Sequence, residues 1–216
     1  MKQDFTMKHN NPLSFDCNDV VLDTPKLVFD GFFKVREYTF KHRLFAGGWS
    51  GPIVRELFER GDAVVVLPYD AVTDEVVLVE QFRIGALAAT LRNQDNRSPW
   101  LVECIAGMID KDESPAEVAS REAEEEAGIT LSDVQPIIDF LSTPGGMSER
   151  IHLFSATVDS TTAAGIHGLD HEGEDIRVCV VKREQAIQWL YEGKIDNAPT
   201  VIALQWLQLN YQKFAK

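Results

Sequence analysis

The stretch GMIDKDESPAEVASREAEEEAGI, residues 107–129, constrains the fold more than any other part of the chain. Ser114 is placed to be an N-cap, Pro115 falls at the first helical position, and Glu117 completes a capping box. Gly128 suits the left-handed residue that closes a helix, with Ile129 packing behind it. The pattern predicts a helix of about three turns. On a wheel of about 100° per residue, Ala116, Ala119, Ser120, Ala123 and Ala127 gather on one side. A face that small can lie close against a sheet.

The same helix crowds anions. Glu122, Glu124, Glu125 and Glu126 stand within five positions. Like charges one turn apart cost roughly 0.2–0.5 kcal/mol per pair. Arg121 lies one turn from both Glu117 and Glu125, and an ion-pair ladder there relieves part of the repulsion. Glu122 and Glu126 point the same way and have no such cation within the helix. Most Glu-rich helices present a plain solvated face. Here the Glu122–Glu126 pair borders the small-residue face instead of opposing it, and a strand ending on Gly107 precedes the helix. Hard oxygen ligands so clustered suit Mg²⁺ or Mn²⁺.

The rest of the chain sets bounds. Its 216 residues suit one large domain, or a core domain with an extension. The net charge of −13 argues against binding to nucleic acid backbone or to anionic lipid surfaces. A small phosphorylated ligand then needs a cation to mediate its contact. Cys17, Cys104 and Cys179 form no CxxC pair; Cys104 and Cys179 sit in apolar runs and read as buried free thiols, which fits a reducing cytoplasm. The first residues lack the apolar core of a signal peptide, and no run approaches the ~20 apolar residues of a membrane span.

Residues 1 to about 25 read as a loose lead-in. KLVFDGFFKVREYTFKHRLF (26–45) reads as two or three strands turning near Asp30-Gly31, followed by a glycine-rich connector at 47–52. Residues 62–70 and 75–83 form β-branched runs that suit a hairpin. A polar loop is expected at 91–99 and a strand at 100–107. Two more strands are expected at 134–142 and 151–158, with the TPGGMSER loop between them. Residues 159–173 read as a mobile glycine-rich loop, 175–182 as a strand, and two helices close the chain, the last capped by Asn197 with Pro199 in its first turn. The expected class is α+β, a mixed β-sheet sandwiched between helices, with a small N-terminal antiparallel β module. Residues 1–55 are assigned to that module and 56–216 to the main domain.

The spacing within residues 107–129 resembles the Nudix box, G-x5-E-x7-R-E-U-x-E-E-x-G-U, with U bulky and apolar. Gly107, Glu113, Arg121, Glu122, Glu125, Glu126 and Gly128 match every fixed position; Ala123 is a small occupant of the first U. The resemblance implies a Nudix hydrolase that cleaves a nucleoside diphosphate linked to another moiety. The segments GFFKVREYTFKHRLF, EQFRIGA, FLSTPGGMSER and GLDHEGEDIRV extend the likeness to the group within that family acting on ADP-ribose. Cleavage of its diphosphate to AMP and ribose 5-phosphate is implied, using two or three Mg²⁺ (or Mn²⁺) ions. Another nucleoside diphosphate sugar, such as a GDP-hexose, is the alternative substrate. A non-catalytic binder of ADP-ribose and a purely structural metal site are the non-enzymatic alternatives.

By the same resemblance, the backbone carbonyl of Ala106 and the carboxylates of Glu122, Glu126 and Glu174 are metal ligands, with Glu125 acting directly or through water. Glu172 is the general base. Phe32 and Phe33 contact adenine, and Arg55, Glu56 and Arg83 are further substrate contacts. Arginine suits a diphosphate because its fork binds two oxygens at once. Met108, Thr143, Pro144, Gly145 and Glu149 match residues near the terminal ribose, with a bulky Met147 inside that loop. The group's N-terminal β module exchanges between subunits, so a domain-swapped homodimer is implied.

Overall fold

The computed structural model describes residues 13–109 and 112–214. The chain divides into two compact units. The first runs up to Arg60 and also takes in Thr143–Ser148; the second holds the rest.

The first unit is a four-stranded antiparallel sheet built on one long strand. Its strands are β1 (Val20–Leu22), β2 (Lys26–Asp30), β3 (Lys34–His42) and β4 (Ile53–Glu59). β1 and β2 lie end to end along one edge of β3, and β4 takes the other edge. Residues 20–22 are thus a strand, not part of a loose lead-in, because Val20–Leu22 find open backbone partners at Phe40–His42. Arg36 and Tyr38 both reach Glu59 across the sheet. The Thr143–Ser148 segment joins this unit through β4. Phe58 N–H donates to the Gly146 carbonyl at 2.9 Å, and Ser148 N–H donates to the Phe58 carbonyl at 3.4 Å.

The second unit is a mixed eight-stranded sheet covered on both faces. Its central strands are β5 (Ala63–Asp70) and β6 (Glu75–Phe82). Their centres, 63–67 and 76–79, are continuous apolar runs, as strands buried on two faces require. Val64, Val66, Val77 and Val79 enter one core, while Val65, Leu67, Val76 and Leu78 enter the other. β5 and β6 pair only at their turn, Tyr69 with Val76 and Asp70 with Glu75. They then diverge, and a broken strand fills the gap. β7 (Trp100–Glu103) pairs with β6, and β8 (Ile105–Met108) pairs with β5. The single strand expected at 100–107 is therefore two. Thr200 Oγ1 accepts from Cys104 N–H at 2.8 Å and so satisfies the break between them.

The other strands are β9 (Ser132–Leu141), β10 (Arg150–Thr157), β11 (Ile166–His167) and β12 (Ile176–Lys182). β10 runs parallel to β5 and antiparallel to β9, and β12 runs antiparallel to β6. The helices are α1 (Ile84–Asn93), α2 (Pro115–Ala127), α3 (Arg183–Tyr191) and α4 (Ala198–Asn210). α2 packs on one face through Val118, Ala119, Ala123 and Ala127. α3 and α4 pack on the opposite face through Ala186, Ala203, Leu204 and Leu207. This is the α+β sandwich the sequence implied. α1 replaces the first part of the expected polar loop: its run IGALAATLRN has good helix formers but no side-chain cap and no buried residue.

Residues 159–173 contain two short 3₁₀ turns and β11, so the segment is more structured than a simple loop. The three cysteines are free; Cys104 is buried, Cys179 half-buried and Cys17 exposed. Burial pushes the Cys104 thiol up to about 12. Among the described residues, no helix is long and apolar enough to cross a membrane.

Candidate active site

The acidic helix is held at both ends by its own residues. The Ser114 hydroxyl oxygen accepts from Glu117 N–H at 3.4 Å, and Glu117 Oε2 accepts from Ser114 N–H at 2.8 Å. Pro115 sits in the first turn. At the other end Gly128 takes φ +64°, and Gly128 and Ile129 N–H groups donate to the Glu124 and Ala123 carbonyls at 3.0 and 3.1 Å. The buried face differs from the expected one. Val118 takes the inward position, while Ala116 and Ser120 are exposed.

That buried face carries a carboxylate. Glu126 is 2% exposed. Its Oε2 accepts from Ala106 N–H at 3.0 Å, and Gln81 Nε2 lies 3.5 Å from its Oε1. Burial pushes Glu126 up to about 8, opposed by the Ala106 hydrogen bond and reinforced by the charges of Glu122 and Glu174. Burial likewise pushes Glu122 up to about 7, with Arg121 pulling down and Glu125 and Glu174 pushing up.

Glu122 owes its place to Gly107. A Cβ built on Gly107 would stand 1.7 Å from Glu122 Oε1. The glycine therefore lets the carboxylate lie directly on β8, beside the Ala106 backbone.

Arg121 organises the remaining anions. It donates to both carboxylate oxygens of Glu113, at 2.8 and 3.0 Å, and through Nη1 to Glu122 and Glu125, each at 2.8 Å. The expected ladder to Glu117 does not form, because Glu117 is committed to the cap. Glu122, expected to lack a cation in its own helix, shares this one. The clustered acceptors hold Arg121 well above its ordinary pKa.

The loop that leads into β12, whose Ala163 packs in the same core as α2, carries Glu172 and Glu174. Glu174 Oε2 accepts from Leu169 N–H at 3.1 Å, and Glu174 makes itself felt electrostatically at both Glu122 and Glu126. Glu172 is exposed, 3.6 Å from His171. Arg83 Nε reaches Glu103 Oε2 at 2.7 Å and lowers the pKa of Glu126 by its charge. Met108 is 37% exposed at the end of β8, whereas Glu149 is buried and accepts from the Ser142 hydroxyl at 2.8 Å.

The remaining candidates belong to the first unit. Phe32 is 86% exposed and meets Phe33 edge-on, with centroids 4.8 Å apart. Phe33 in turn packs on Phe58 at 5.0 Å, with the Arg60 guanidinium 5.5 Å from its ring. Arg55 and Glu56 lie exposed on β4. Thr143, Pro144 and Gly145 form a turn in which the Thr143 carbonyl accepts from Gly146 and Met147.

Two supporting residues escaped the sequence reading. Gln81 is a buried polar residue inside the apolar β6 run, which is the signal that could have marked it. Glu103 packs behind Arg83, and burial raises its pKa.

Among the described residues, no three Asp, Glu, His or Cys side chains converge into a ready-made metal cage. Glu122 and Glu125 are turned to Arg121, and Glu126 to the Ala106 amide. The donor chemistry nevertheless fits a hard divalent ion. Glu122 and Glu126 are desolvated oxygen donors whose charges repel one another and Glu174, and a bound cation favours their ionised forms.

The family model described as NUDIX domain matches residues 59–204, and the chain belongs to that family. Among curated proteins it is 53% identical over 203 residues to ADP-ribose pyrophosphatase of Escherichia coli (strain K12), covering 94% of each chain. It is 53% identical over 197 residues to ADP-ribose pyrophosphatase of Haemophilus influenzae, covering 91% of this chain and 89% of the other. GDP-mannose pyrophosphatase of Pectobacterium atrosepticum is 34% identical over 180 residues, with 83% of this chain and 89% of that protein covered.

Proposed function

We propose that this enzyme hydrolyses the diphosphate of ADP-ribose to AMP and ribose 5-phosphate, with two or three Mg²⁺ or Mn²⁺ ions per site. The observation that carries metal-dependent hydrolysis is the desolvated Glu122–Glu126 pair on the β8 backbone. The 53% identity to ADP-ribose pyrophosphatases, spread over 94% of both chains, supports ADP-ribose over GDP-hexoses.

Glu122, Glu126, Glu174 and the Ala106 carbonyl would hold the ions, with Glu125 acting directly or through water. When bound, such ions neutralise a diphosphate, lower the pKa of water and stabilise the leaving oxygen. A Glu172 carboxylate oxygen takes the proton of the attacking water. The water oxygen forms the new bond to phosphorus, and the bridging oxygen leaves with the electron pair. General-base help of this kind is typically worth about 10²–10⁴-fold. Arg55, Glu56 and Arg83 serve as substrate contacts, and Phe32 and Phe33 contact adenine. Met108, Thr143, Pro144, Gly145 and Glu149 serve the terminal ribose.

We assign the N-terminal β module, residues 1–55, to a domain-swapped homodimer and the protein to the cytoplasm. Exposed Val20, Val21, Leu22, Leu27, Val28 and Phe29 support an interface role for the module, and three free thiols suit a reducing compartment.

The test is incubation with ADP-ribose and Mg²⁺, with and without EDTA, and separation of products. AMP and ribose 5-phosphate, lost with EDTA, are expected. Intact ADP-ribose alongside cleaved GDP-mannose would replace the substrate; no cleavage of either would remove the enzymatic assignment.

A further inference from the structure

The loop bearing Glu172 and Glu174 is fastened to the end of α2 at Gly168 and His167. The helix's own closing bonds use the Ala123 and Glu124 carbonyls, and the next carbonyl along, that of Glu125, has no later residue of the helix to serve it. Gly168 N–H donates to it at 3.2 Å. Beside this bond the His167 ring rests on Gly128, where an added Cβ would stand 2.5 Å from its Cε1. The ring is held in turn by Nε2, which lies 2.8 Å from the Ala164 carbonyl and donates to it as the Nε2–H tautomer.

Gly168 is also the base of the turn beyond it. It takes φ +104°, outside the range that side-chain-bearing residues adopt easily. A Cβ there would fall 2.7 Å from the Glu174 Cβ and 3.2 Å from its carbonyl carbon. The Leu169 carbonyl accepts from Glu172 N–H at 2.9 Å and from Glu174 N–H at 3.4 Å, while Leu169 N–H donates to the Glu174 carboxylate. The turn from Gly168 to Glu174 is thus closed on itself and pinned at Gly168.

We infer that Gly168 and His167 are positioning residues. They set the carboxylates of Glu172 and Glu174 against those of Glu122, Glu125 and Glu126 by pinning the loop to the last turn of α2. Neither residue needs to touch substrate or metal to do so. The inference rests on the proposed function for what the loop accomplishes, but the pin itself is independent of the substrate. Supporting groups behind metal ligands typically change metal affinity or activity by about 10–100-fold when lost.

The experiment compares wild type, Gly168→Ala and His167→Ala by three readouts. These are hydrogen exchange of the 165–174 segment, Mn²⁺ affinity from the resonance of free Mn²⁺, and kcat and KM on ADP-ribose. Circular dichroism checks the fold, and His167→Ala, which adds no strain, decides the matter if Gly168→Ala unfolds. Faster exchange confined to the loop, Mn²⁺ bound about 10-fold or more weakly, and kcat down about 10–100-fold at near-constant KM are expected. Wild-type Mn²⁺ affinity and kcat in the variants would overturn the inference. So would a rise in KM with kcat unchanged. An inactive wild type would defeat the ADP-ribose assignment alone, since exchange and Mn²⁺ binding still report on the pin.

Discussion

Glu122 lies so close across Gly107 that the glycine's missing side chain is its seat: a Cβ would stand 2.1 Å from the Glu122 carboxyl carbon and 1.7 Å from Oε1. Gly107→Ala should therefore displace Glu122 from β8 while leaving the apolar face of α2 packed. We expect kcat/KM to fall by about 10²-fold or more, since small misplacements of reacting groups cost that much. Overpacking should cost about 1–3 kcal/mol of stability. Steady-state kinetics beside thermal unfolding separates the two effects, and a fully active alanine variant would dismiss the seat.

Arg121 gathers Glu113, Glu122 and Glu125 with one planar fork. Lysine keeps the charge but cannot bind both Glu113 oxygens while reaching two further carboxylates. Arg121→Lys should lower kcat/KM by about 10–100-fold. An unaltered kcat/KM would mean that charge alone suffices.

Glu172→Gln keeps shape and removes the base. Turnover should drop by about 10²–10⁴-fold with KM little changed. Product formation at the wild-type rate would take Glu172 out of the mechanism.

The carboxylates of Glu122 and Glu126, raised to about 7 and about 8, give the metal-free protein a definite pH dependence. Between their ordinary carboxylate values and these raised ones, the folded chain binds more protons than the unfolded chain. Stability contributed by these groups is thus fully present below about pH 4.5 and is lost as pH rises through 7 and 8. In EDTA, raising the pH from 6 to 8.5 should lower their contribution to Tm, and Glu126→Gln should flatten that slope. For a chain of this size each 1 kcal/mol moves Tm by about 2–4 °C. Mg²⁺ should raise Tm more at pH 8.5 than at pH 6. Equal slopes in wild type and variant would show that Glu126 ionises freely in the fold.

Phe29 lies 60% exposed on β2. If the N-terminal module forms the dimer, Phe29→Asp should shift the protein toward monomer in light scattering. A monomeric wild type with full activity would remove the dimer from the proposal.

The acidic helix was legible because its signals are local: Ser114, Pro115, Glu117 and Gly128 act within a few residues of themselves. So were β5 and β6, whose centres at 63–67 and 76–79 are uninterrupted runs of apolar, mostly β-branched residues. Of the partners of Arg121, Glu125 was legible from its one-turn spacing. Glu113 was not, because it lies on the loop before the helix and only the fold brings it to the guanidinium. Nor was Glu122, the next residue in the chain, because only the side-chain geometry shows it sharing that cation. Helix α1 was hidden by its own weakness, lacking a cap and burying nothing. The split at Cys104 was invisible for a different reason. It depends on β5 and β6 diverging and on Thr200, nearly a hundred positions later, accepting the freed amide. The joint at Gly168 was likewise out of reach, since a glycine announces freedom but not the helix carbonyl its amide will meet.

The Thr143–Ser148 segment completes the first unit although the chain reaches it long after leaving that unit at Arg60. The N-terminal portion is therefore not a self-contained cassette. A chimera that trades the first sixty residues between relatives would still depend on the host's own turn at Thr143–Ser148 to meet the amide and the carbonyl of Phe58. The bonds are main chain to main chain, so most substitutions there leave them intact, whereas a proline at Ser148, which removes an N–H donor, would disturb the first unit from outside its own stretch of sequence.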